Sequence, residues 1–154
     1  MNYWDKKLLR KQISKKLKPL KSFAKASSST GSWVKTIRQA LGMTTYDLAR
    51  RSGMDQAQLS RIEKAEPEGK VTLATMQKIA DGLDMKFVYG FVSDDDLESI
   101  VYRQAKKLAL RRLKRLDTTM ALELQELDPE EKKEALSDMI EKILTDSPSD
   151  FWEE

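Results

Sequence analysis

The stretch "LGMTTYDLARRSGMDQAQLSRIEKAE", residues 41–66, contains two short amphipathic segments separated by a glycine. Thr44 is followed three residues later by Asp47, a spacing that resembles a capping box and predicts the start of a helix. Gly53 can end that helix, because glycine readily adopts the left-handed backbone found at helix ends. Asp55 can cap a second helix directly afterwards. The stretch therefore predicts two helices joined by a short turn.

The second predicted helix has an apolar stripe of only Leu59 and Ile62, so most of its surface is polar. Such a polar edge suits the major groove of DNA, since glutamine pairs with adenine N6 and N7 and arginine pairs with guanine O6 and N7. Helix N-termini also bind phosphates through unpaired N–H groups. The residues predicted to contact phosphates are Thr44, Thr45, Ser60 and Lys64. The alternative is a small helical domain whose polar residues face only solvent.

Two further helices are predicted on either side of this pair. Ser32 can cap a helix that Gly42 ends, and Thr72 can cap another. The apolar positions of these two helices are Val34, Ile37 and Leu41 in the first, and Leu73, Met76, Ile79, Ala80 and Leu83 in the second. Neither central helix can bury its own stripe alone, so the flanking helices complete the core of a helix-turn-helix domain.

Residues 41–66 resemble the helix-turn-helix of phage repressors and Cro, usually called the Xre family, over about residues 32 to 84. The residues that match the pattern are Leu48, Ala49, Gly53, Leu59, Ser60, Ile62 and Glu63. The resemblance implies that a recognition helix contacts bases through Gln56, Ala57, Gln58 and Arg61. Ala65 stands where a glycine often ends the third helix of the family, and Asp84 stands where glycine or asparagine often ends the last.

Composition narrows the classes of function. The chain of 154 residues contains neither histidine nor cysteine, which removes the usual general base, the commonest metal ligands and any thiol nucleophile. No glycine-rich phosphate loop, metal-ligand spacing or convergent carboxylate pair is present, so we expect no enzyme, no cofactor and no metal site. No apolar run approaches the roughly 18 residues of a membrane span, and no signal peptide is recognisable, so a cytoplasmic protein is expected.

Charge divides the chain into three segments. Residues 1–26 carry nine Lys or Arg and one acid, residues 27–92 carry nine and seven, and residues 93–154 carry ten and seventeen. The first segment thus has a net charge of +8 and the last of −7, although the last begins with a basic run. That run contains Arg103, Lys106, Lys107, Arg111, Arg112, Lys114 and Arg115. Basic stretches of this kind indicate a polyanionic partner.

Residues 1–30 predict a basic amphipathic helix and a linker. Apolar residues recur every three or four positions from Trp4 onwards with lysines between them, and Pro19 should stop or kink the helix near Lys18. The linker is the stretch "SSSTGS". Such a helix could cover an apolar patch of its own protein, contact nucleic acid, or bind a membrane surface.

After the domain predicted at residues 31–84, the run "MKFVYGFV" at residues 85–92 predicts one short β-strand. It could pair with its twin across a dimer axis or pack as an extended segment on its own domain. Residues 93–154 predict a helical extension for dimer or partner binding, with one long helix from Asp94 to about Gln125 and another beginning at Asp128 and Pro129. The expected fold is therefore mostly α.

The whole layout, and especially "LRRLKRLDTTMALELQ" within the extension, resembles the family known as mobile mystery protein A. Members are typically encoded beside a Fic-domain protein in what looks like a toxin–antitoxin pair. Known antitoxins silence Fic proteins with a helix bearing Ser or Thr, three residues, Glu, and then Gly or Asn. Thr119 and Glu123 match this spacing and Leu124 departs from it, so the resemblance implies toxin inhibition by this pair. The alternative is an ordinary exposed pair on a helix.

Together these features predict a dimeric, sequence-specific DNA-binding regulator. It would repress its own operon, bind a double-stranded operator, and neutralise a Fic-type AMP-transferase. The alternative is a plain Xre-type repressor without a toxin partner.

Overall fold

The computed structural model of the chain describes residues 1–27, 30–116 and 118–153. It divides into two units, one formed by Leu20–Val92 and the other by Met1–Pro19 together with Ser93–Glu154. Ser28 and Ser29 of the predicted linker, and Asp117 of the predicted long helix, lie outside the described residues. The described helices are α1 (Tyr3–Leu17), α2 (Leu20–Ser27), α3 (Trp33–Ala40), α4 (Thr45–Arg51), α5 (Gln56–Ala65), α6 (Leu73–Gly82), α7 (Leu97–Lys114), α8 (Thr118–Glu126) and α9 (Pro129–Asp146).

Side-chain caps set the starts of the helices in the Leu20–Val92 unit, and the four predicted caps are confirmed. Ser32, Thr44, Asp55 and Thr72 each accept a hydrogen bond from the backbone N–H three residues later, at the starts of α3, α4, α5 and α6. Gly53 adopts a φ of +67°, which confirms the predicted turn between α4 and α5.

The two departures from the Xre pattern have structural explanations. α5 does not end in a left-handed residue at Ala65; the chain continues through a 3₁₀ turn, Glu66–Glu68, and Gly69 takes the left-handed backbone instead, with a φ of +68°. Asp84 is itself left-handed, with a φ of +56°, and its carboxylate accepts a hydrogen bond of 2.7 Å from Arg51.

The core of this unit lies between α3, α4, α5 and α6. Its buried residues are Val34, Leu48, Ala49, Leu59, Ile62, Ile79 and Leu83. Leu59 and Ile62 are therefore the inward stripe of α5, as the sequence predicts.

The predicted β-strand at residues 85–92 is wrong. Residues 85–93 have no regular secondary structure, and no described residue of the chain forms a β-bridge. The first part of the segment instead lines an apolar cavity of about 440 Å³ with residues of α3 and α6. Most of the β-branched and aromatic residues of this segment are exposed, and their β-propensity did not produce a strand, because strand formation needs a neighbouring strand with which to exchange hydrogen bonds.

The other unit contains α1, α7, α8 and α9. Its buried core residues are Ala105, Leu108, Ala109, Ile140, Ile143 and Phe151. α1 packs on α7, where Arg10 donates to the Glu98 carboxylate at 2.7 and 3.1 Å, and the hydroxyl of Ser14 accepts a hydrogen bond from the N–H of Leu97. α1 ends before Pro19, as predicted.

The single long helix predicted from Asp94 to about Gln125 is also wrong. α7 begins after the cap Asp96 and ends at Lys114, where the N–H groups of Arg115 and Leu116 donate to carbonyls three residues earlier. The end falls in the most basic stretch of the chain, where cations interact favourably with the negative end of the helix dipole. None of the helices in the described residues is long and apolar enough to cross a membrane.

Candidate nucleic-acid interface

α5 presents a polar face to solvent while its opposite face is buried. Leu59, Ile62 and Glu63 are buried on the inner face. The side chains that face solvent are Gln56, Ala57, Gln58, Arg61 and Lys64. All four predicted base-contacting residues are therefore exposed on one helix.

Gln56 is linked to the start of α4. Its amide Nε2 donates to the hydroxyl of Thr45 at 3.2 Å, which joins the first residues of the two helices. The amide retains a second N–H and its carbonyl oxygen, so it can still pair with a base. This hydrogen bond fixes the side chain of Gln56, and the sequence alone did not indicate it.

Arg61 extends along its own helix, where Nε donates to the carbonyl of Ala57 at 3.3 Å. Together with Gln58 it lines a shallow cavity of about 420 Å³. The polar residues on the far side of this cavity are Lys70, Thr72 and Thr75, which lie at the start of α6. The sequence predicted Thr72 only as a helix cap, and it did not predict Lys70 or Thr75 as part of this surface.

A buried ion pair holds α5 against α3. The guanidinium of Arg38 donates to both carboxylate oxygens of Glu63, at 2.6 and 3.1 Å, and a third N–H donates to the carbonyl of Met43 at 2.8 Å. Each residue of the pair is only 9% exposed. The hydrogen bond with Glu63 raises the pKa of Arg38. Glu63 was recognised from the Xre pattern, whereas its partner Arg38 was not.

Glu66 makes a second connection between α3 and the end of α5. Its carboxylate accepts hydrogen bonds from the Ser32 hydroxyl at 2.6 Å and from the N–H groups of Trp33 and Val34 at 3.0 Å. A carboxylate at this position satisfies unpaired N–H groups and complements the helix dipole. The orientation of α5 is therefore fixed by contacts at Glu63 and Glu66.

The predicted phosphate-contacting residues differ in availability. Lys64 is exposed, and Ser60 and Thr45 are half-buried. The hydroxyl of Thr44 is engaged in the capping box, since it donates to Asp47 at 2.5 Å and accepts from the Asp47 N–H at 3.1 Å. Contact at Thr44 would therefore use the N–H groups of the helix start more readily than the hydroxyl.

Thr119 and Glu123 belong to α8 of the other unit, and both are exposed. They lie four residues apart and so share one helix face. The described residues contain no group of acidic side chains arranged to hold a metal ion.

Comparison with known protein families matches residues 34–89 to the family described as helix-turn-helix. Residues 34–89 are an Xre-like helix-turn-helix domain. The match covers α4 to α6 and nearly all of α3, and it ends at residue 89, within the segment that follows α6. A domain of this kind indicates a DNA-binding transcription regulator. Searches of curated proteins and of solved structures gave no match.

Proposed function

We propose that the chain is a sequence-specific DNA-binding regulator that inserts α5 of the helix-turn-helix domain into the major groove. The main support for the proposal is that α5 has one polar face exposed to solvent and one face buried in the core. Its outer face is polar and exposed to solvent, while Leu59 and the Arg38–Glu63 pair fix its inner face. A rigid helix of this kind can hold side chains at base edges with little entropy lost on binding.

The exposed residues of α5 divide into base-reading and phosphate-binding groups. Gln56 and Gln58 can pair with adenine, Arg61 can pair with guanine, and the methyl group of Ala57 can contact a thymine methyl. Lys64, Thr44, Thr45 and Ser60 supply contacts to phosphates, which set the register of the helix without reading sequence.

The test is selection of a preferred duplex from a random pool by the full chain, followed by affinity measurements on single-base variants of that duplex. Arg61→Ala and Gln56→Ala should each weaken binding by about 1–3 kcal/mol and relax preference at one base position. Gln39→Ala is the matched control, because Gln39 is an exposed amide on α3. Loss of preference in the control, or unchanged preference in both α5 variants, would contradict base reading by α5.

We further propose a homodimer that represses its own operon in the cytoplasm. A two-fold dimer would place its recognition helices about 34 Å apart and would select a palindromic site. Sedimentation of the free chain and of its complex with the selected duplex measures the stoichiometry directly. A selected site without two-fold symmetry would contradict this arrangement.

A second role, as the antitoxin of a Fic-type partner, is supported by the resemblance to mobile mystery protein A and by the surface of α8. Met120 and Leu122 are 51% and 55% exposed, and Glu123 has no ion pair within the described residues. An apolar surface beside a free carboxylate is suited to binding a protein that carries an arginine. In this role Glu123 would pair with the Fic arginine that otherwise holds the ATP γ-phosphate, and Thr119 would lie on the same face.

This role predicts a Fic-domain reading frame beside the gene, and co-expression with its product tests it. Glu123→Gln should restore AMP transfer by the partner while binding to the selected duplex stays unchanged, and Glu126→Gln on the same helix is the matched control. Continued silencing by the Glu123→Gln variant would exclude Glu123 as the inhibitory residue, whereas failure of the wild-type chain to silence the partner would leave a plain Xre-type repressor as the function.

A further inference from the structure

α7 carries a cationic face that the helix-turn-helix domain does not account for. With its cap Arg115, the helix contains seven Lys or Arg residues and one acid, Glu98. Three pairs of cations lie four residues apart, namely Arg103 with Lys107, Lys107 with Arg111, and Arg111 with Arg115. Like charges at this spacing repel one another across a helix turn. A helix exposed only to solvent would be more stable if positive and negative side chains alternated at this spacing.

Some of these cations are already occupied within the unit. Arg103 pairs with Asp95, Arg112 donates to the Asp150 carboxylate at 2.9 Å, and Arg111 donates to the carbonyl of Glu153 at 3.0 Å. The remaining cations are exposed and form no hydrogen bond or ion pair with any described residue: they are Lys106, Lys107, Lys114 and Arg115. Their charge is therefore available to a partner.

The free lysines lie on the side of α7 that is away from the core of its unit. Lys107 and Lys114 are seven residues apart, which places them on one face of the helix about 10 Å from each other. Lys106 lies about 100° from Lys107 around the helix, and the core residues Ala105 and Leu108 lie on the other side. The basic face, defined here as Lys106, Lys107 and Lys114, thus points away from the core of its unit, whereas Arg115 is seven residues after the buried Leu108 and lies on its side of the helix.

We propose that the basic face of α7 is a second DNA-contacting surface, which binds phosphates in addition to those bound by the helix-turn-helix domain. A duplex carries one negative charge per about 1.7 Å of its axis, so flexible lysines spaced along a helix meet phosphates in any register. Residues 118–154 of the same unit carry twelve acids and three lysines, so DNA would repel this part of the unit. The electrostatic field of the unit therefore favours an orientation in which α7 faces the DNA.

This inference rests on the proposed DNA-binding function, and the experiment separates the two. The full chain is titrated with its selected duplex and with a random-sequence duplex at several salt concentrations. The test variant is Lys106→Gln/Lys107→Gln/Lys114→Gln. The matched control is Lys132→Gln/Lys133→Gln/Lys142→Gln, which removes the same charge from α9.

Three phosphate contacts should contribute about 2.7 to the slope of log affinity against log salt, so between about 50 and 200 mM salt the wild-type chain should lose about 40-fold more affinity than the test variant. The loss should be the same on both duplexes, and the control should keep the wild-type slope. Substitution of the same three lysines by arginine should also keep it. Circular dichroism and thermal unfolding establish that each variant is folded.

An unchanged slope in the test variant would overturn the inference while leaving DNA binding by α5 intact. Equal changes in the test variant and the control would also overturn it, because they would indicate long-range charge rather than contact. Absence of duplex binding by the wild-type chain at low salt would instead refute the proposed function.

Discussion

At the scale of single residues, the position of α5 depends on one buried ion pair. Arg38 and Glu63 are matched in geometry, since both carboxylate oxygens accept from the guanidinium. Removing one member leaves an uncompensated charge in the core, whereas replacing both by apolar residues of similar size does not. The ion pair therefore contributes more to the position of α5 than to the free energy of unfolding.

We expect Glu63→Leu to lower the free energy of unfolding by about 3 kcal/mol, and Arg38→Met/Glu63→Leu to recover most of that loss. Lys70→Met, which breaks the exposed pair of Lys70 with Glu68, should cost about 0.5 kcal/mol or less. Urea unfolding of the three variants measures these differences. A Glu63→Leu variant as stable as the control would show that the buried pair contributes nothing.

A second residue-scale contact joins α4 to α6. A Cβ added at Gly82 would lie 2.3 Å from the Ser52 hydroxyl and 3.3 Å from Leu48 Cδ1. The Ser52 hydroxyl is buried and has no hydrogen-bond partner within the described residues. Glycine is therefore required here because the two helices approach closely.

Gly82→Ala should destabilise the protein by about 1–3 kcal/mol through overpacking. Ser52→Ala should change stability by about 0.5 kcal/mol or less, since no hydrogen bond is lost. The double variant should be more stable than the sum of the two single changes predicts, because the closest contact is gone. Strict additivity in thermal unfolding would rule out the proposed contact.

At the scale of helices, the start of α4 responds to pH through its capping box. Hydrogen bonds from the hydroxyl and N–H of Thr44 lower the pKa of Asp47 below its ordinary value, 3.8. A hydrogen bond from the Ser99 N–H likewise lowers the pKa of Asp96 at the start of α7. The unfolded chain binds protons at these two carboxylates more readily than the folded chain does. The free energy of unfolding should therefore rise as the pH increases from the lowered folded pKa values to the ordinary value.

We expect the contribution of Asp47 to the free energy of unfolding to be complete above its ordinary pKa. This contribution should be lost as the pH falls through the lower pKa of the folded state. Asp47→Asn should be less stable than wild type at pH 7 and should show a shallower loss in acid, so that the two curves converge. Urea unfolding across this pH range provides the measurement. Parallel curves would show that the carboxylate does not titrate with folding.

At the scale of the whole molecule, the two units each have a core of their own. Leu48 belongs to the core of the helix-turn-helix domain, and Leu108 belongs to the core formed by α7 and α9; both are almost completely buried. Replacing either by alanine should cost about 3 kcal/mol, because a cavity is left.

In hydrogen exchange of the full chain, Leu48→Ala should increase the exchange of amides within residues 20–92, while amides of α7 and α9 remain protected. Leu108→Ala should give the opposite pattern. Local opening of this kind follows the boundaries of cooperative packing. Equal loss of protection in both units would indicate one cooperative fold.

Local signals predicted most of the helix-turn-helix domain and only part of the extension. Ser32, Thr44, Asp55 and Thr72 each act within three residues of the chain, so their roles as caps could be recognised in the sequence. The end of α7 near Lys114 could not be recognised in the sequence, because no proline or glycine marks it. The exposed face of α5 followed from the short stripe of Leu59 and Ile62.

What the sequence determined by itself is the type and order of the helices in residues 32–84, the side of α5 that faces solvent, and the separation of charge along the chain. The tertiary structure decided which distant residues meet: Arg38 with Glu63, Glu66 with the start of α3, Gln56 with Thr45. It also decided that residues 85–88 line an apolar cavity beside helices and that residues 85–92 do not form a strand. The physical reason is range: caps and amphipathic periods act over a few residues, whereas ion pairs and strand pairing depend on groups that only the folded chain brings together.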